Sequence, residues 1–196
     1  MKRILLLASL LCSLSWTVGA QDFNKGYEAQ KRGDFATAMR HYRPLAEQGN
    51  AAAQLNVGAL FHNGQGVPQS YAEALKWYRK AAEQGHAIAQ SNLGVMYDEG
   101  RGVPQDYTEA AQWFYRAAEQ GNTTAQRRLG VRFEDGRGVP QNYSQAYIWY
   151  SLAAAGGEQG ALNSRDSSAK RLTPEQLRDA QREATERWEH IRKRKK

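Results

Sequence analysis

The sequence predicts an all-α fold: a right-handed α-solenoid of about four helix-turn-helix repeats with a 36-residue period, closed by C-terminal capping helices. Three observations carry this expectation. Gly58, Gly94 and Gly130, then Pro68, Pro104 and Pro140, then Trp77, Trp113 and Trp149 all step by 36 residues, and a fixed period of this length is the signature of stacked repeats. Residues 58–93 aligned with 94–129 share 18 identities in 36. Within each period, apolar residues recur at spacings of three and four, and no strand is predicted.

The elements follow in chain order. Lys2 and Arg3 precede an apolar stretch from Ile4 to Leu14 and the small residues Val18, Gly19 and Ala20. This is the layout of a secretory signal peptide, and the stretch is too short to span a bilayer. Residues 1–20 are therefore expected to be a leader cleaved after Ala20, giving a periplasmic or secreted protein that starts at Gln21. The one cysteine, Cys12, lies inside the leader, where bulky Leu11 before it suits lipoprotein processing poorly. The mature chain then has no thiol in an oxidising compartment, so its stability must come from packing. No other segment is long and apolar enough to cross a membrane.

The repeat array is expected over 21–157. In each unit a first helix ends at Gly64, Gly100 or Gly136, and the proline four residues later forbids its continuation. The second helix starts at Ser70, Asp106 or Asn142, N-cap side chains followed at capping-box spacing by Glu73, Glu109 and Gln145. It buries Tyr71, Ala74, Trp77, Tyr78 and Ala81 and stops at Gly85, with Gly49 and Gly121 ending its neighbours. Asn50, His86 and Asn122 then cap the next first helix, whose inward stripe is Ala89, Leu93 and Tyr97, with Gly94 allowing close approach of a neighbour. The first unit lacks the GVPQ loop and turns at Gly33 and Asp34 instead. Residues 158–196 are expected to form capping helices with a basic tail, the last helix capped by Thr173-Pro174-Glu175-Gln176.

Charge narrows the function classes. Of 27 Lys and Arg residues, seven lie at the two ends, which leaves 20 basic against 20 acidic residues between them. A formally neutral body lacks the basic face of a nucleic-acid-binding domain. The terminal run Arg192 to Lys196 has two readings, a solvated tail or a weak contact with an anionic lipid or polysaccharide surface.

The run AxAQxxLGxMYxxGxGVPQDYxEAxxWFxxAAEQG, from Ala87 to Gly121, resembles the Sel1-like repeat family, relatives of the tetratricopeptide repeats. The resemblance covers about residues 23–157. It implies adaptors that assemble complexes through the inner surface of a superhelix, often in bacterial envelopes or the secretory pathway, with some members linked to penicillin binding. The enzymatic branch typically carries a disulfide in each repeat, which this chain cannot form without mature cysteines.

Chemistry-bearing motifs are few. The four histidines lie in no ligand spacing, no GxSxG or SxxK occurs, and neither metal nor cofactor is expected. His86 takes a position filled by Asn in neighbouring units and reads as a cap. The pairs Asp98-Glu99 and Glu134-Asp135 read as solvated helix ends beside an arginine, because helix neighbours do not face one another across a cleft. The fourth unit departs most from the pattern: Arg127, Arg128 and Arg132 replace Ser91, Asn92 and Met96. Either this helix faces solvent, the preferred reading for an end repeat, or the arginines meet an acidic partner. The expected function is an exported non-catalytic adaptor holding a protein or peptide in a concave groove lined by Leu55, Ala59, His62, Ser91, Val95, Asp98, Arg127, Arg128, Val131, Arg132 and Glu134. The alternative is a cell-envelope enzyme acting on peptidoglycan or β-lactams.

Overall fold

The computed structural model describes residues 20–194, all helix, turn or loop. The expected leader up to residue 19, with Cys12, and the last two lysines of the tail lie outside the described residues. The chain divides into two compact units, Met1–Gln84 and Gly85–Lys196.

The first unit contains α1 (20–31), α2 (Phe35–Glu47), α3 (Ala51–Asn63) and α4 (Tyr71–Glu83). Its core gathers Ala29, Ala38, Met39, Tyr42, Val57, Leu60 and Trp77. Burial pushes the Tyr42 phenol up to about 12, with the nearby Tyr27 adding to the effect, while its hydroxyl bonds Gln30 Oε1 at 3.0 Å.

The second unit contains α5 (Ala87–Glu99), α6 (Tyr107–Glu119), α7 (Thr123–Asp135), α8 (Tyr143–Ala155), α9 (Gly160–Ala169) and α10 (Pro174–Arg194). Phe114, Leu129, Ile148, Trp149, Leu152 and Ile191 are buried in one cluster. A Cβ on Gly94 would stand 2.7 Å from the Phe114 ring, and one on Gly130 equally close to Tyr150. Glycine at these positions therefore lets an aromatic of the second helix lie flat against the first.

The caps act as the sequence predicts at Asn50, Ser70, Asp106, Asn122 and Asn142, each side chain accepting a backbone N–H of its first turn. His86 corrects the pattern: it has the cap backbone conformation, but its side chain accepts no capping bond. The imidazole is half-buried, its Nδ1 meets no hydrogen-bond partner, and burial favours its neutral form. A second correction concerns the capping boxes of α4, α6 and α8. The cap N–H groups of Ser70, Asp106 and Asn142 donate to the carbonyls of Phe61, Tyr97 and Phe133, at 2.9, 3.0 and 2.8 Å, instead of to the Glu or Gln three residues on. The GVPQ loop makes this possible, because its glutamine amide ties back to the preceding helix: Gln69 to His62 O, Gln105 to Asp98 O and Gln141 to Glu134 O. The reciprocal box does form at α10, where Thr173 and Gln176 exchange bonds of 2.9 and 3.2 Å.

The closing helices α9 and α10 each pack principally on α8. Arg187 fastens α10 by reaching Glu119 of α6 at 2.9 Å and by lying 5.0 Å over the Trp149 ring, while Glu183, one turn earlier on α10, pairs with it at 2.9 Å.

Candidate functional site

Nine of the eleven candidate residues occupy three register positions, each repeated at 36-residue steps on α3, α5 and α7: Leu55/Ser91/Arg127, Ala59/Val95/Val131 and His62/Asp98/Glu134. Arg128 and Arg132 complete the set on α7.

In the first unit Leu55, Ala59 and His62 are half-buried on α3. His62 is held rather than free, with Nδ1 3.0 Å from Asn63 Oδ1 and its ring edge-on to Tyr71 at 5.2 Å.

In the second unit Val95, Arg127, Arg128, Val131 and Glu134 are half-buried, whereas Ser91, Asp98 and Arg132 are buried. The expectation that α7 turns its arginines to solvent is therefore overturned. Arg132 is 7% exposed, and its Nη1 lies 3.0 Å from Asp98 Oδ1, at ion-pair distance but without the alignment of a hydrogen bond. Arg128 bridges the same carboxylate at 3.4 Å and Glu99 at 3.7 Å, and Arg127 lies 3.8 Å from Glu158. The physical reason is register: positions 96 and 60, one and two periods before 132, hold the buried Met96 and Leu60. A charge at a packing position must bring its counter-charge with it.

At Asp98 alone, the same geometry corrects the reading of Asp98-Glu99 as a solvated helix end beside an arginine. Asp98 is buried beneath two guanidiniums, while exposed Glu99 pairs with Arg101 at 2.9 Å. Glu134 accepts a 2.6 Å bond from the Tyr150 hydroxyl, and burial together with this carboxylate holds that phenol's pKa above its usual range. Asp98, Glu99 and Glu134 are each paired with a neighbour in the chain. Among the described residues no three His, Cys, Asp or Glu side chains come together as a metal site. No helix of the described residues is long and apolar enough to cross a membrane.

Sequence reasoning missed Glu99, Glu158, Tyr107 and Tyr150 as partners of this surface. Tyr107 takes Arg132 at 5.2 Å and Arg137 at 5.7 Å against its ring. A signal for part of this was present: Arg128 follows Asp98 by 30 residues, the same separation that joins Gln54 to Gln84 and Gln90 to Gln120 by side-chain bonds.

A family model described as "Sel1 repeat" matches residues 23–50, 51–86, 87–122 and 123–158. The chain belongs to the Sel1 repeat family. Sel1 repeat proteins generally mediate protein–protein interaction and are typically non-catalytic scaffolds. Similar solved structures agree on an α-solenoid of repeats. A Sel1 repeat protein from Oxalobacter formigenes is 38% identical, with a TM-score of 0.68 over 71% of this chain and 56% of its own. The protein c5321, a protective antigen present in uropathogenic Escherichia coli strains, is 28% identical, with a TM-score of 0.60 over 89% of this chain and 48% of its own. Helicobacter pylori cysteine rich protein B is 25% identical, with a TM-score of 0.54 over 66% of this chain and 93% of its own. The chain thus spans about half the length of the first two. No curated protein matches it in sequence.

Proposed function

We propose that this Sel1 repeat protein is an exported, non-catalytic adaptor that holds a protein or peptide partner against the candidate positions of its first helices. One observation supports this most. Positions that pack helix on helix are invariant from α3 to α7: Ala53/Ala89/Ala125, Gln54/Gln90/Gln126 and Gly58/Gly94/Gly130 are all buried. The candidate positions beside them, buried at Ser91 and Asp98 and half-buried elsewhere, change residue type at almost every step, from Leu to Ser to Arg and from His to Asp to Glu. Packing constrains the first set alike in every repeat, and positions that vary from repeat to repeat are where a solenoid carries specificity. Arg128 and Arg132 join repeats through Asp98 and Glu99, Arg127 faces Glu158 of its own repeat, and Val95 and Val131 become the central contact residues.

The full chain, affinity-tagged, should capture a partner from its native envelope, and Val95→Asp with Val131→Asp should lose that partner while keeping the wild-type circular dichroism. Unchanged capture by the folded double variant contradicts the assignment. Export is tested separately by N-terminal sequencing: the expected first residue is Gln21, and a retained Met1 or an acylated Cys12 contradicts it.

A further inference from the structure

A different face of the Gly85–Lys196 unit is built on α6. Ala111, Leu129 and Phe133 form the apolar floor of an open recess of about 400 Å³, and exposed Thr108, Tyr115 and Arg116 stand at its rim. One 36-residue step carries Ala111, Tyr115, Arg116 and Leu129 onto Tyr147, Ser151, Leu152 and Arg165. Those four line a recess whose other wall is made by Ala184, Thr185 and Trp188 of α10. The chain itself therefore displays what this face accepts, an amphipathic helix laid along α8. The two seats are continuous, because Tyr115 touches the Trp149 ring edge-on at 5.5 Å and its side chain meets Arg187 of α10. On α6 the seat is open, with Tyr115 44% exposed.

The two seats differ in where the cation comes from. On α8 the residue one turn after Trp149 is Leu152, and the charge over the indole is supplied by the guest helix as Arg187, at 5.0 Å. On α6 the host supplies it: Arg116 lies 4.4 Å over the Trp113 ring, and among the described residues no carboxylate stands within ion-pair distance of it. A helix seated on α6 meets a guanidinium where α10 brings one, so the complementary guest carries a carboxylate there.

We propose that the α6 face docks an acidic amphipathic helix of a protein partner, with a bulky apolar side chain in the recess and a Glu or Asp against Arg116. The surface is distinct from the row on α5 and α7 and can fail without it.

The test uses the full chain and two fluorescein-labelled peptides: residues Thr173–Arg194 with Arg187→Glu, and the same peptide with Arg187 retained. Fluorescence anisotropy should show the Arg187→Glu peptide binding at least tenfold more tightly. Thr108→Trp, an exposed rim substitution that fills the mouth of the recess, should weaken that binding at least tenfold. Arg116→Glu should reverse the preference between the peptides, and circular dichroism should show both variants folded. Absence of saturable binding, equal affinity for the two peptides, or indifference to Thr108→Trp overturns the proposal. So does a dimer of the full chain that Thr108→Trp dissolves, which would assign the seat to a second copy.

Discussion

Asp98→Ala should lower the free energy of unfolding by about 3 kcal/mol, because it leaves the buried Arg132 guanidinium without its counter-charge. The figure lies at the lower end of the range for breaking a buried pair, since Arg128 is part-exposed and can turn toward solvent or toward Glu99. The cause is separable from simple loss of packing. Adding Arg132→Met, the residue that stands at the equivalent position 96, removes the stranded charge and should recover most of the loss, because an apolar side chain of similar volume replaces a buried pair with little penalty. Urea unfolding of the two variants and wild type measures both effects. An Asp98→Ala protein as stable as wild type would mean that Arg132 is hydrated after all, and the account of α7 would revert to a solvent-facing end repeat.

Trp149→Ala should cost about 3 to 5 kcal/mol, the range for truncating a buried aromatic. The side chain is fully buried, with Tyr115 edge-on at 5.5 Å and Arg187 over its face, so its removal opens the core and loosens the strap that holds α10. Asn122→Ala, by contrast, removes one cap bond of 2.9 Å to Ala125 N–H and should cost about 1 kcal/mol. Denaturant melts give the ordering directly. If the two variants lose similar stability, the periodic tryptophans do not anchor the helices in the way described.

The fold was legible because the repeat states each constraint several times. Gly94, Trp113 and Pro104 each recur in register, so a helix end, a packing face and a loop could each be read more than once. What could not be read was where a side chain turns once its backbone is placed. Ser70 and Glu73 have the spacing of a capping box, yet the Ser70 N–H donates to Phe61 O, a partner fixed by the folding back of the GVPQ loop. His86 shares the register of Asn50 and Asn122 but does not cap, and its buried Nδ1 finds no partner at all. The candidate row was found as a register, and its apolar members were placed on the half-buried side of α5 and α7. Arg132 was misread because a charge at a packing position looks, in sequence, like a helix turned outward. Its counter-charge, Asp98, lies 34 residues earlier, beyond the reach of any local pattern.

The proposed adaptor role is tested most directly by placing a photo-crosslinking amino acid at Val95, at Val131 and, as a control, at Arg178, an exposed position on α10, and irradiating the full chain in its native envelope. The account predicts one shared acceptor protein crosslinked from both Val95 and Val131 and absent from Arg178. Crosslinks from Arg178 alone, or none from either valine in a folded and exported protein, would contradict it.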